Sequence, residues 1–445
     1  MLSQAAGTRS LLCVGIILSI GFQQFPVVRL GGSFRVYEFF AVLLFLAAIA
    51  SGSLLKKREI WSFLFFVAAP LLSFVLFWGG WIHDVDGYYQ RFGVAGQFRY
   101  GYFVATFVPL VYFFLCWVSF TEISGNEWLF LNRDAVIRWI VLSGNAIGLF
   151  ALVAAALNGG LSIQTPIQML PDWLQNVGKA SYGYRTYGFS QEPSFYVLFQ
   201  GWVLLFSYFY RNLFSRVAGL YLVAVASVCL LMTLSSALIG FFSACFIASV
   251  VTGAGRVRIK RALLIALVAG GVVIAAGASG YGDLLYYAFY QKIAGFFSAP
   301  TTTLDSGQFR AYTASLGFQI FLDYPLTGVG PGASIFFMHA YEYLIPIAVY
   351  GETLNPGSFP QNSYVSVLSD LGLVGLLALL LFMAYVLVNI WKAAKLSGEM
   401  MPFLIGTVFT YASLLSIAPA YSMFIWVFPA FALCIARGVL SQRVR

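Results

Sequence analysis

The chain has 445 residues, of which 60% are hydrophobic and only 9% are charged. A soluble domain carries about a quarter of its residues charged, so a water-soluble globular protein is excluded. The net charge of +9 comes from basic residues that lie mostly beside apolar runs, which favours loop retention at a membrane over nucleic-acid binding.

The apolar residues form continuous runs rather than short alternating segments, which is typical of membrane-spanning helices. The sequence therefore predicts an all-α polytopic membrane protein with one membrane domain over residues 1–445. About 12 transmembrane helices are expected, at 10–27, 36–51, 60–79, 101–120, 136–157, 194–210, 217–233, 236–252, 262–279, 363–391, 401–417 and 419–436.

The distribution of basic residues predicts the orientation. With both termini in the cytoplasm, 17 of the 25 Lys and Arg residues fall on the cytoplasmic side and 8 on the other. Two long polar segments, 158–193 and 280–362, then become extracytoplasmic loops. The later loop is predicted to be partly helical, over 283–298, 305–322 and, as a helix or re-entrant piece, 335–350.

The predicted helix 305–322 is amphipathic. Phe309, Tyr312, Leu316 and Ile320 recur along one face and are expected to pack on the bundle. Arg310 lies at the edge of this stripe.

Arg185 and Arg310, one in each long loop, are the strongest candidates for binding an anion. A guanidinium group keeps its proton, and its planar fork matches phosphate oxygens. Two such groups beside each other would suit a diphosphate at the level of the lipid headgroups. For either arginine alone, pairing with a carboxylate or a lipid phosphate is the alternative.

Three residues are candidates for a general base. Glu192 lies at the mouth of a predicted span, where low-dielectric surroundings raise the affinity of a carboxylate for a proton. The same Glu192-Pro193-Ser194 stretch is equally typical of a helix start. His339 is the second candidate, because a histidine can accept a proton near neutral pH, although a lone histidine in an apolar run is more often packed. Asp323 is the third candidate.

Two short motifs offer weaker signals. The glycines of TGVGPG, among them Gly328 and Gly330, would permit close backbone approach to an anionic ligand. The stretch His83-Asp84-Val85-Asp86 contains a DxD pattern that can hold a metal against a diphosphate, but the pattern is common. We therefore expect neither a metal nor another cofactor.

Three stretches resemble the O-antigen polymerase and O-antigen ligase superfamily. RAYTASLGFQIFLDYPLTGVGPG (residues 310–332) is similar to the family's arginine, helix and glycine turn. NSYVSVLSDLGLVG (residues 362–375) looks like its entry into the next span, and RTYGFSQEPSFY (residues 185–196) looks like the arginine-plus-EPS stretch of the polymerase branch.

The resemblance implies a glycosyltransferase in the bacterial cytoplasmic (inner) membrane that acts on a polyprenyl-diphosphate-linked oligosaccharide outside the cytoplasm. A polymerase that joins repeat units into exopolysaccharide or O-antigen is expected, working by metal-independent inversion. Catalytic roles then fall to Glu192, His339 and Arg310. Donor and glycan binding falls to Arg185, Arg310, Gly328, Gly330, Gln361, Asn362 and Tyr187, with membrane lipid, a chain-length regulator and export machinery as further expected partners.

Two departures bear on the branch. Ligases usually carry histidine where this chain has Gln361, and glutamine cannot take up a proton at neutral pH. Relatives often show an arginine where this chain reads LSSA (residues 234–237). An O-antigen ligase is the alternative, and a flippase for lipid-linked oligosaccharides is the second. A flippase is expected to place charges along its spans, whereas here they cluster in loops.

Overall fold

The computed structural model of the protein describes residues 2–23, 26–29, 33–52, 59–77, 101–160, 193–233, 235, 237–251, 306–338, 341, 359–417 and 419–442. In this part of the chain the apolar runs are helical, because a helix satisfies its own backbone hydrogen bonds away from water. The helices are α1 (Leu2–Ser19), α2 (Val36–Ala50), α3 (Ile60–Phe77, with a π-helical turn at Leu64–Ala68), α4 (Gly101–Ser124), α5 (Glu127–Leu131), α6 (Arg133–Gly160), α7 (Pro193–Phe209), α8 (Arg216–Leu231), α9 (Ala237–Val251), α10 (Ser306–Asp323), α11 (Ser334–Phe337), α12 (Ser363–Leu396), α13 (Met401–Ser413) and α14 (Met423–Gln442), with 3₁₀ turns at Arg211–Leu213 and Gly398–Met400.

Eleven of the twelve predicted spans overlap one of these helices, and the twelfth, 262–279, lies outside the described residues. Among the described residues, five helices are long and apolar enough to cross a membrane: α3, α4, α6 (over Arg133–Val153), α12 and α14. Helices α1, α2, α7 and α8 are apolar but shorter. The protein is therefore a helical membrane protein, while twelve crossings and their orientation stay predictions.

The prediction of an all-α chain and of a first span over 10–27 needs one correction. Helix α1 ends at Ser19, and a two-stranded antiparallel hairpin follows, with β1 (Pro26–Arg29) paired to β2 (Ser33–Arg35). Proline lacks the N–H that a helix interior needs, and the β-branched valines after Pro26 favour a strand. The hairpin leads directly into α2.

Aromatic side chains form the centre of the bundle. Phe65 and Phe66 of α3, Phe120 of α4, Phe382 of α12 and Trp426 of α14 are all buried. Their rings meet at centroid distances such as 4.8 Å (Phe120–Phe382) and 5.4 Å (Phe66–Trp426). Such edge and tilted contacts add to the energy of burial, so four helices are fixed against each other here.

One end of the bundle is marked by a charged layer, which we define as the ion pairs Arg9–Glu122 and Glu59–Arg437. The first pair has an N–O distance of 3.2 Å, and Ser124 donates a hydrogen bond of 2.9 Å to Glu59. These contacts join the amino-terminal ends of α1 and α3 to the carboxyl-terminal ends of α4 and α14. Arg9 and Arg437 therefore lie at one end of the bundle. We call the opposite end the outer end, after the predicted orientation.

Candidate functional site

Helix α10 packs on the outer end of the bundle through the stripe that the sequence predicts. Tyr312, Leu316 and Ile320 are buried and Phe309 is half-buried. They form one apolar cluster with Phe77 at the end of α3 and with Val329, Phe336 and Phe337 beyond α10. The predicted packing of this stripe on the bundle is confirmed.

Arg310 reaches the start of α7. Its guanidinium Nη2 donates a hydrogen bond of 3.4 Å to the hydroxyl of Ser194. Helix α7 begins at Pro193, as expected for a proline in the first turn of a helix, and Ser194 is buried. The contact therefore joins α10, in the later polar segment 280–362, to the end of the earlier polar segment 158–193. Ser194 is two residues after Glu192 in the sequence.

Gln361 and Asn362 lie where α10 meets α12. The backbone N–H of Gln361 donates a hydrogen bond of 3.2 Å to the hydroxyl of Thr313, one turn after Arg310. The Asn362 side-chain oxygen accepts from the N–H groups of Tyr364 and Val365, at 3.0 and 3.2 Å, and so caps α12. The Asn362 side chain thus stabilises the start of α12, in addition to its predicted role in binding substrate.

The glycine turn, which we define as Thr327–Gly332, folds against a break in α12. Gly328, Gly330, Gly332 and Gly372 have φ values of 64°, 106°, 67° and 65°, in the left-handed region that favours glycine. A Cβ on Gly328 would lie 2.4 Å from the carbonyl carbon of Asp370, and one on Gly372 would lie 2.4 Å from that of Leu326. The two backbones touch because both glycines lack side chains.

The amide groups of this turn are occupied, which changes the expected role of its glycines. The N–H of Gly328 donates to the Tyr324 carbonyl, and the N–H of Gly330 donates to the Asp370 carbonyl at 2.9 Å. These N–H groups therefore do not form a cradle for an anion. The close approach predicted for Gly328 and Gly330 is to the chain's own backbone, and their observed contribution is to shape the outer end.

Asp370 connects three elements at this junction and was not among the predicted site residues. Its carboxylate is buried and accepts hydrogen bonds from the Ser334 N–H, at 3.0 Å, and from the Ser366 hydroxyl, at 3.3 Å. Its carbonyl accepts from the Ser73 hydroxyl of α3 at 2.8 Å. The available signal was an acid inside the apolar run LSDLGLVG, where a buried carboxylate needs partners.

A second guanidinium group, that of Arg35, lies at the outer end where β2 meets α2. It contacts the Tyr37 hydroxyl at 2.6 Å and the Glu38 carboxylate at 3.8 Å. Tyr112 of α4 hydrogen-bonds to Glu38, and its ring lies 6.3 Å from that of Tyr421. Glu38, an acid in a predicted span, is therefore held within a local polar network.

Asp323 is placed apart from Arg310. It accepts a hydrogen bond from the Tyr341 hydroxyl and ends α10, thirteen residues after Arg310. At 1.5 Å per residue, these two residues are about 20 Å apart along the helix. Asp323 therefore does not share the position of Arg310, which disfavours it as the general base.

Several predicted residues lie outside the described part of the chain, so their predicted roles stay predictions. They are His83, Asp84, Asp86, Arg185, Tyr187, Glu192 and His339. Among the residues that the structure does describe, no three His, Cys, Asp or Glu side chains are grouped so as to hold a metal ion.

Comparison with protein-family models gives a match to part of the chain. Residues 220–381 match the family model described as O-antigen ligase. The matched segment runs from α8 into α12 and includes Arg310, the glycine turn, Gln361, Asn362 and Asp370. No curated protein matches the chain. The match covers two of the three stretches that carry the resemblance, residues 310–332 and 362–375, so the segment 220–381 is similar to the O-antigen ligase family.

Proposed function

We propose that the protein is a polysaccharide polymerase that joins polyprenyl-diphosphate-linked oligosaccharide repeat units at the outer face of the bacterial cytoplasmic membrane. The observation that supports this most is the contact between Arg310 and Ser194. It brings a guanidinium group from the family-matched segment to the end of the earlier polar loop, which carries Arg185, Tyr187 and Glu192 in the sequence.

The proposed reaction is an inverting displacement at the anomeric carbon of the donor sugar. The acceptor hydroxyl oxygen bonds to that carbon while the bond from carbon to diphosphate oxygen breaks, and the diphosphate leaves with the electron pair. Arg310 and Arg185 stabilise the negative charge that develops on the leaving group, so the step needs no metal. The acceptor proton passes to a general base.

Glu192 is the base that we favour. It lies two residues before Ser194, whose hydroxyl accepts a hydrogen bond from Arg310. His339 is the second candidate. The side chains of Gln361, Asn362 and Tyr187 are proposed to bind the glycan, while Gly328 and Gly330 contribute by fixing the turn beside α12.

An O-antigen ligase is the second candidate function, because the matching family model is described as O-antigen ligase. The distinguishing residue is Gln361, which stands where ligases usually carry a histidine. A ligase would transfer its glycan to a lipid A core or to another acceptor rather than to a second repeat unit.

The first experiment tests Arg310 as a substrate-binding group. The Arg310→Ala protein, reconstituted in lipid, should lose polymerisation by about 100-fold or more, the loss typical for removal of one charge-stabilising donor. Arg310→Lys should recover little, because lysine lacks the planar fork. The matched control is Arg138→Ala, since Arg138 is exposed near the start of α6, on the other side of the bundle. Normal polymer formation by Arg310→Ala would refute the site.

The second experiment separates the two functions. Purified protein receives the lipid-linked repeat unit alone. A ladder of longer lipid-linked products identifies a polymerase. Products that form only after addition of a different acceptor identify a ligase.

A further inference from the structure

The glycine turn lies within the bundle rather than above it. The Ser73 hydroxyl, inside α3, has one proton and shares it between the Thr327 carbonyl, at 2.5 Å, and the Asp370 carbonyl, at 2.8 Å. Gly332 packs on Pro109 inside α4, where an added Cβ would lie 2.6 Å from the proline ring and 3.5 Å from the Tyr421 hydroxyl. Residues inside α3 and α4, together with Tyr421 just before α14, therefore mark the depth of the turn.

The charged layer provides the reference level for that depth. Along α3, Ser73 is fourteen residues beyond Glu59, and along α4, Pro109 is fifteen residues from Ser124, which hydrogen-bonds to Glu59. Tyr421 is sixteen residues from Arg437. At 1.5 Å per residue these intervals are about 21–24 Å, and any tilt of the helices shortens the height they span.

The hydrocarbon core of a bilayer is about 30 Å thick. Charged side chains such as Glu59 and Arg437 are stable only where they reach the interface or each other, and Glu59 directly follows Lys56, Lys57 and Arg58. With the charged layer at one interface, the turn lies about 6–9 Å inside the other. It is thus at the depth of lipid chains.

The outward side of α10 carries large apolar side chains, although Asp323 at the end of the helix is exposed and accepts a hydrogen bond from the Tyr341 hydroxyl. Phe318, Leu322 and Leu326 are 44%, 52% and 65% exposed, on the side away from the buried stripe of Tyr312 and Leu316. A helix lying on the bundle in water would place polar residues there. An apolar outward side indicates a non-aqueous neighbour.

Backbone hydrogen bonds make this surface continuous with that of α12. The N–H of Leu373 donates to the Pro325 carbonyl at 2.8 Å, and the N–H of Val374 donates to the Leu326 carbonyl at 3.3 Å. Leu373, Val374 and Leu377 are themselves exposed on α12, one of the five helices long and apolar enough to cross a membrane. The side chains at the end of α10 therefore extend the lipid-facing surface of that span.

We propose that the end of α10 and the glycine turn form a re-entrant element, and that Phe318, Leu322 and Leu326 contact lipid hydrocarbon in the half of the bilayer opposite the charged layer. Arg310 lies on the same helix, about two turns before Phe318. Under the proposed function, a diphosphate lipid held by Arg310 would keep its hydrocarbon chain in the membrane during the reaction. The placement itself does not depend on that function.

Spin labels at single cysteines test the placement. In a variant with Cys13, Cys116, Cys229, Cys245 and Cys434 replaced by alanine, the substitutions Leu322→Cys and Leu326→Cys are labelled, and the protein is placed in lipid nanodiscs without substrate. Collision of each label with oxygen reports lipid, and collision with a water-soluble nickel chelate reports water. The references are Leu377→Cys for lipid, Glu399→Cys for water and Leu316→Cys for a buried position.

Labels at positions 322 and 326 should behave like the label at position 377, with high collision with oxygen and low collision with nickel. A nickel signal like that at position 399 would overturn the proposal in favour of water. Low collision with both probes, as at position 316, would overturn the proposal, because it would show that protein rather than lipid covers positions 322 and 326. If the cysteine-free protein does not fold, the same substitutions in the native background, corrected for the signal of labelled native protein, give the same comparison.

These outcomes are separate from the test of the proposed function. The labels are measured without a donor lipid, so a failure of glycosyl transfer leaves the result unchanged. Conversely, a water-exposed label at position 322 would leave the role of Arg310 to be decided by its own variants.

Discussion

The two ends of the bundle hold their charged groups in different ways. At the charged layer, Arg9 and Arg437 are paired with carboxylates across helices. At the outer end, the ion pair of Arg35 with Glu38 is local to the start of α2, Asp370 is held by an amide and a hydroxyl group, and Arg310 donates a hydrogen bond to the Ser194 hydroxyl. Ion pairs between helices fix those helices against each other, whereas the contacts of Asp370 fix the junction between α12 and the residues that follow the glycine turn.

The comparison predicts which substitutions change activity and which change only stability. At the charged layer, loss of a residue should loosen the bundle and leave the intrinsic reaction intact. At the outer end, loss of a residue that shapes the junction between α10 and α12 should reduce polymer formation even in protein that stays folded.

The largest loss of stability is expected from Gly328→Ala. Its φ of 64° is unfavourable for alanine by roughly 1–2 kcal/mol, and the added methyl would lie 2.4 Å from the Asp370 carbonyl carbon. Overpacking adds about 1–3 kcal/mol, so the free energy of unfolding should fall by about 2–5 kcal/mol. Thermal unfolding in detergent measures the change. The control is Gly52→Ala, which also has a positive φ but has open space around it, and an equal loss in both would show that contact with α12 is unimportant.

The next largest effect is expected from Asp370→Ala. The substitution leaves the Ser334 N–H buried without its acceptor, which costs about 1–3 kcal/mol, and it should also lower polymer formation because the glycine turn loses an anchor. Asp370→Asn should keep most of the activity, since its amide can accept from Ser334 and donate to Ser366. Activity of both variants is compared at equal amounts of folded protein.

The asparagine variant separates positioning from proton transfer. If Asp370 acted as the general base, Asp370→Asn would be as inactive as the alanine variant. Retained activity in Asp370→Asn with reduced activity in Asp370→Ala supports the positioning role. Equal, full activity in both would show that the junction does not influence the reaction.

The helices of the described residues could largely be predicted from the sequence, because long apolar runs with polar interruptions specify helices and their ends. The stripe of Tyr312, Leu316 and Ile320 was accessible for the same reason, since it follows the helical period. The hairpin after α1 was missed because Pro26–Arg29 is apolar enough to extend a predicted span, and apolarity alone does not distinguish a strand from a helix.

The candidate site was less accessible, because it depends on contacts between residues far apart in the sequence. Arg310 was identified from its chemistry, but its Ser194 partner is 116 residues away. The amide groups of Gly328 and Gly330 are suited to an anion from the sequence alone, but their acceptors are the carbonyls of Tyr324 and Asp370. The role of Asp370 is not predictable, because a single acid in an apolar run does not reveal its partners.

A moderate effect on stability alone is expected from Arg437→Met at the charged layer. Breaking a buried ion pair costs about 3–5 kcal/mol. Because the side chain of Arg437 is 32% exposed and that of Glu59 only 11%, we expect roughly 1–3 kcal/mol after allowing for solvent screening. The rate of polymer formation per folded molecule should stay close to that of the native protein. A selective loss of rate without a change in unfolding temperature would contradict the division between the two ends.

The smallest effect is expected from Arg133→Ala. Arg133 pairs with Glu399 at 2.6 Å, but the Glu399 side chain is 58% exposed, and exposed pairs contribute about 0–1 kcal/mol. Both the unfolding temperature and the polymer yield should therefore stay near the native values, and the small difference in stability should shrink further at high salt. Thermal unfolding at two salt concentrations measures this. A loss of polymer as large as that of Arg310→Ala would mean that arginines at both ends serve the reaction, because removal of an exposed surface pair cannot otherwise stop a site at the far end of the bundle.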